Sequence, residues 1–219
     1  MWENTTQFLF VRKIMSDTHH IKSYIHIKNN TVSLNGNVVY SDNEPDFKSF
    51  IKAAYKATET KYSKFFKMDN LSKLAFLASD ILLVNEELSS DEEHNIAIVF
   101  SNKSSSLDTD RKHQESIQYK NDYYPSPAVF VYTLPNICIG EISIKHKLYS
   151  ENSFFIFDSF NAEHLRIYTN SLVQTGKADM VLCGWVDYDE DSYEAFIYLV
   201  SQDGKLNHNT NKIITLYNT

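Results

Sequence analysis

Between Ser126 and Val186 the chain reads SPAVFVYTLPNICIGEISIKHKLYSENSFFIFDSFNAEHLRIYTNSLVQTGKADMVLCGWV, and this stretch decides the fold. An apolar strand, Asn152-Ser-Phe-Phe-Ile-Phe-Asp158, leads into a helix from about Phe160 to Thr175. Gly176 stops that helix, and Met180-Val-Leu-Cys-Gly-Trp-Val186 is a second buried strand. Ahead of them, Pro135 suits the first turn of a helix running to about Leu148, since the N–H it lacks would be unpaired there.

Working toward the N-terminus, Asn95-Ile-Ala-Ile-Val-Phe100 is a short β-branched run with polar flanks, as a central strand should be. Ser101 to Ser106 follow as a polar loop, and Leu107 to about Tyr119 as a surface helix opened by Asp108. Asp69 stands in front of Leu71, Leu74, Ala75, Ala78 and Leu82, an i, i+3, i+4 ladder that predicts a helix to about Val84. Asp46 to Ala57 is also helical in pattern. Tyr24-Ile-His-Ile and Thr31-Val-Ser-Leu alternate around Asn29-Asn30 as a hairpin. Toward the C-terminus, Glu194 to Val200 and Lys212 to Tyr217 read as two more strands. Strands alternating with helices, then strands in succession, describe an α/β layer fold around a mixed sheet.

With 219 residues, 42% hydrophobic and 22% charged, the composition is that of one globular domain spanning 1–219. No apolar run approaches the roughly 20 residues of a membrane span, and the first residues lack a secretory pattern, which places the chain in the cytoplasm without a membrane partner. A net charge of −7 argues against nucleic acid. None of the five glycines falls in a phosphate-cradling pattern, so no nucleotide cofactor is expected, nor any other. Cys138 and Cys183 sit in apolar runs and read as reduced core thiols.

The stretch from Ser126 to Val186 resembles the nucleophile half of a β-ketoacyl-carrier-protein synthase, a member of the thiolase superfamily. Ser126, Pro127, Phe130, Thr133, Pro135, Asn136, Gly140, Gly176 and Gly184 carry the likeness, and Lys64-Phe-Phe-Lys-Met68-Asp69 resembles a signature found nearer the family's start. Ser104 to Asp110 is similar to the loop after the central strand. The resemblance implies a thiolase-like half fold with a mixed five-stranded sheet and helices on both faces. It also puts the family's catalytic cysteine at Ser159, counting back from Gly176, so no catalytic residue is expected there. The second half of a ketosynthase brings histidines in a His-Gly-Thr-Gly-Thr and a Gly-His segment. Neither segment occurs in this sequence.

Taken with the resemblance, these absences imply a non-catalytic subunit, of the chain-length-factor type, that supports an active ketosynthase in fatty-acid, aryl-polyene or polyketide-type synthesis. The family's dimer strand corresponds to Ser153, Phe154, Phe155, Ile156, Phe157 and Asp158, whose apolar run suits a strand buried on both faces. Partners implied are an active ketosynthase, a second copy, or an acyl carrier protein. Two other readings stay open: a serine acyl transferase or hydrolase using Ser159, and a binding module for acyl chains or their carrier. A serine needs a positioned base; Asp158 points to the opposite face of a strand and His164 lies five residues on, whereas a serine at a strand-to-helix turn suits an N-cap. His19-His20 read as loop histidines rather than metal ligands, and Asp187, Asp189, Glu190 and Asp191 as a solvated turn, so no metal is expected.

Overall fold

A computed structural model describes residues 19–43, 46–88, 92–119, 121 and 123–219. Among these residues, eight strands form one mixed sheet: β1 (His20–Lys28), β2 (Thr31–Leu34), β3 (Asn37–Ser41), β4 (Ile96–Asn102), β5 (Asn152–Ile156), β6 (Met180–Asp189), β7 (Ser192–Ser201) and β8 (Leu206–Asn207). Their order is β3-β2-β1-β7-β6-β4-β5, with β8 beside β1. β4 runs parallel to both β5 and β6, while the remaining pairs are antiparallel. The expectation of a mixed sheet holds, but eight strands replace the expected five. Three two-residue hairpins account for much of the surplus: Asn29-Asn30, Asn35-Gly36 and Glu190-Asp191 all have positive φ, as the turn that matches strand twist requires.

Helices cover both faces, as expected. On one side lie α1 (Phe47–Ala57), α2 (Asn70–Asn85) and α5 (Ile137–His146); on the other, α6 (Ala162–Gln174) and α7 (Thr210–Tyr217). The period of the strands sorts their side chains. Ile96, Ile98 and Phe100 of β4 face α2, whereas Ala97 and Val99 face α6. α2 buries Phe76, Leu77 and Leu83 as well as the ladder Leu71, Leu74, Ala75, Ala78 and Leu82, so it is a core helix covered on both sides. α3 (Leu107–Ile117) and the short α4 (Pro127–Val131) are the remaining α-helices among the described residues.

Several expectations are corrected. Lys212 to Tyr217 is helix, not strand: Asn209 caps α7 by accepting from the Lys212 N–H at 2.9 Å, and Ile213 and Leu216, three apart, supply the buried face. Ser101 and Asn102 belong to β4 and are buried rather than looped out. Pro135 lies in the turn before α5, not in its first turn. β5 is an edge strand with three half-buried residues and exposed ends, not a strand buried on both faces. Of the loop histidines, His20 begins β1, and His19 is buried with Nδ1 3.1 Å from Asn170 Oδ1. Among the described residues, no helix is long and apolar enough to cross a membrane.

Candidate functional site

Because β4, β5 and β6 are parallel, their carboxyl ends share one edge of the sheet, where the loops that follow them gather. The loop after β4 is closed by polar bonds. Asn102 donates to Ser105 O at 2.9 Å and accepts from Ser105 N–H at 3.0 Å. Asp187, at the end of β6, accepts from the N–H groups of Lys103 and Ser104 at 3.2 and 2.9 Å, and from the Ser104 hydroxyl at 3.3 Å. Asp189 is forked by Arg111, and Asp191 accepts from Tyr188 at 2.8 Å. Asp187 and Asp189 are therefore a clasp for neighbouring elements, while Glu190 and Asp191 form the exposed turn expected of the run.

The loop after β5 is seated differently. The Phe157 N–H donates to Asn102 O at 2.9 Å, which carries the ladder one step past the strand. Asp158 and Ser159 then form an exposed bend. Phe160 turns inward, stacks on Tyr217 with ring centroids 4.2 Å apart, and meets Trp185 and Phe196 edge-on. Asn161, not Ser159, caps α6: its Oδ1 accepts from the His164 N–H at 3.0 Å. The Ser159 hydroxyl has no hydrogen-bond partner among the described residues. The ring of His164 is held edge-on by Phe155 and Phe157 at 4.6 and 4.9 Å, and its Nε2 is buried without a partner.

Ser159 stands on the rim between two grooves. One, of about 460 Å³, is walled by Phe160, Trp185 and Tyr217 and carries Lys28, Asp187 and Glu194. The other, of about 440 Å³, runs from Phe157 to Glu163 and on to Thr210 and Ile214 of α7. Burial by itself would raise the Glu194 carboxyl, but hydrogen bonds from His26 and Tyr217 outweigh it and hold the group below its ordinary range. His26 Nε2 lies 2.8 Å from Glu194 Oε1, and the Tyr217 hydroxyl donates to Oε2 at 2.6 Å. Both carboxylates in the first groove are thus already occupied by donors of this chain. Among the described residues, no group of three or more His, Cys, Asp or Glu side chains is arranged to hold a metal.

No protein-family model matches the sequence, and no curated protein does. Solved structures do match the fold. One is the ishigamide ketosynthase/chain length factor, with a TM-score of 0.59 and 16% identity, covering 84% of this chain and 62% of that one. A second is the ketosynthase ApeO in complex with its chain length factor ApeC from Xenorhabdus doucetiae, with a TM-score of 0.57 and 12% identity over 92% of this chain and 90% of the other. A third is AntDE:AntF, a type II PKS acyl-carrier protein in complex with its ketosynthase, with a TM-score of 0.60 and 12% identity over 84% and 63%. The chain has the ketosynthase-type fold. It spans about three fifths of the first and third of these chains.

Within that fold the residues carrying the resemblance serve as caps, turns and packing. Met68 is buried; Asp69 caps α2 and also accepts from Thr109 at 2.8 Å, its carboxyl raised by burial. Ser126 caps α4, Pro127 opens it, and the Thr133 hydroxyl donates to Phe130 O while the Phe130 ring stays exposed. Asn136 begins α5 without a side-chain bond, and Gly140 sits in its open face. Gly176 has φ +71°, and with Lys177 it satisfies the last carbonyls of α6. A Cβ on Gly184 would lie 2.0 Å from Phe196 O, so β6 and β7 approach too closely for any side chain there. Of the 153–158 strand, Ser153 and Phe155 turn toward Tyr168 of α6, while Ile156 and Asp158 are exposed. The sequence reading missed Asp187, Glu194 and Tyr217 as neighbours of Ser159. The Asp-rich end of β6 was a signal for the first, but nothing local marks the other two.

Proposed function

We propose that this chain is a non-catalytic ketosynthase-type subunit that pairs with an active ketosynthase through the open edge of β5 and supports acyl-chain synthesis by that partner. The observation that carries this reading is the bend at Ser159. At Ser159, where the resemblance puts the family's nucleophile, stands an exposed hydroxyl with no base bonded to it, beside a histidine whose ring is locked into an aromatic contact. Among the described residues no strand pairs with the outer side of β5, which ends at half-exposed Ile156, and this supports the pairing mode, since a bare apolar edge is normally covered. The ApeO–ApeC and AntDE:AntF complexes support the kinds of partner, a ketosynthase and an acyl carrier protein.

Co-expression with a candidate ketosynthase, followed by light scattering, tests the pairing. A complex of the two chains is expected, and Ile156→Pro should dissolve it. The Phe157 N–H points to β4, so by alternation the Ile156 N–H faces outward, and proline there spares the existing ladder. A monomer both alone and in the mixture sinks the pairing. Condensation of malonyl- and acyl-carrier protein by the isolated chain would refute the non-catalytic role.

A further inference from the structure

Between residues 46 and 67 the chain carries six lysines, no arginine and two acids, although its net charge is −7. Lys48, Lys52 and Lys56 recur every four residues on α1, whose opposite side buries Phe47, Phe50, Ile51 and Ala54, so they form one exposed row. Lys64 and Lys67 flank Phe66 in the 3-10 turn Ser63–Lys67, and all three are exposed. The two lysine groups lie on adjoining elements, since Phe66 packs edge-on against Tyr55 of α1, at 5.1 Å. Phe65 and Tyr55 stack at 4.4 Å, and the Phe66 ring is left 50% exposed. Lys64 lies 4.0 Å from Glu141; Lys48, Lys52, Lys56, Lys61 and Lys67 have no ion pair among the described residues.

We propose that this face attaches the protein peripherally to an anionic lipid bilayer, with Phe66 entering the headgroup boundary and the lysines resting on lipid phosphates. The composition selects lipid over an acidic protein. Protein interfaces are depleted in lysine and enriched in arginine, whose planar fork reads a carboxylate in one register. A fluid array of phosphates requires no register, and point charges on long stems around one aromatic ring suit it. The acidic remainder of the surface does not prevent this, because at physiological salt charges are screened beyond about 8 Å. This inference is independent of the proposed pairing through β5.

Sedimentation with vesicles of phosphatidylcholine, with or without phosphatidylglycerol, tests it. Binding is expected only where phosphatidylglycerol is present and should disappear at high salt. Combined reversal of Lys52, Lys56 and Lys67 to Glu should weaken binding by roughly a hundredfold or more, and Phe66→Ala by about tenfold with an unchanged salt dependence. Lys205→Glu, outside the face, should change nothing, and circular dichroism reports that each variant is folded. Failure to sediment with phosphatidylglycerol vesicles, or an equal loss with Lys205→Glu, overturns the proposal. So does an acyl carrier protein captured through the same lysines by a chain that ignores vesicles, which would assign the face to an acidic protein.

Discussion

The loops after β4 and after β5 leave the same edge of the same sheet, yet they are held by different physics. The first is fixed by directional polar bonds, with Asp187 alone accepting three. The second is fixed by the burial of one ring, Phe160, while its polar residues Asp158 and Ser159 face solvent. A nucleophile loop needs the reverse arrangement: a hydroxyl or thiol held in place by neighbours that also set its proton affinity. Here polar precision sits beside the bend at Ser159, and the bend itself keeps only its packing.

The sharpest way to break the comparison is Asp187→Ala. It leaves two loop N–H groups and a hydroxyl without their acceptor, and should lower unfolding stability by about 3 kcal/mol in urea titration. A loss below about 1 kcal/mol would mean that water replaces the carboxylate and that the β4 loop is no more built than its neighbour. Phe160→Ala is the matching test of the aromatic seat. Removing a half-buried ring that touches Tyr217, Trp185 and Phe196 should cost about 2 kcal/mol and should loosen α7, read as faster amide exchange around Tyr217.

How far this contrast is legible in sequence depends on the range of the forces involved. α2 and β4 could be read because an uninterrupted ladder and a β-branched run each dictate a period locally. The helix ending at Gly176 was likewise readable, since only a residue tolerant of positive φ ends a helix in that way. Lys212-Ile-Ile-Thr-Leu-Tyr217 misled because so short a run, with four apolar residues in six, satisfies either period; the deciding cap, Asn209, lies just outside it. At the candidate site, the resemblance singles out Ser159, but its surroundings are not legible in the sequence. Asp187, Glu194 and Tyr217 reach it from β6, β7 and α7 through strand order, which pattern does not encode. The cap on α6 was two residues away at Asn161, because the chain needs Phe160 to turn inward before the helix begins.

That displacement yields the next measurement. Asn161→Ala should cost about 1 kcal/mol, the ordinary value of a lost N-cap. An effect within the noise would move the start of α6 and return the capping role to Ser159.

A smaller effect concerns the groove wall. Glu194 is held below its ordinary value near 4.5 by its two donors, so it binds fewer protons in the folded chain than in the unfolded one. Its contribution is therefore complete above that ordinary value and is lost as pH falls through the depressed folded one. Glu194→Gln should flatten the decline of melting temperature across that acid window and leave the profile near neutrality unchanged in shape. An unaltered acid limb would show that the Tyr217 and His26 bonds do not distinguish the charge state.

The smallest expected effect is the most telling. Ser159→Ala should leave stability within a few tenths of a kcal/mol, since a solvent-facing hydroxyl with no bonded neighbour has nothing to lose. It should equally leave pairing with a ketosynthase unchanged. A fluorophosphonate probe then separates an inert hydroxyl from an activated one, because labelling requires a base that raises nucleophilicity, not merely exposure. No labelling is expected in either the wild-type chain or the variant. Stoichiometric labelling that vanishes in Ser159→Ala would show that His164 or another base reaches the bend in solution. In that case the loop after β5 would be the built site after all, and the serine-dependent acyl transferase or hydrolase would replace the non-catalytic subunit.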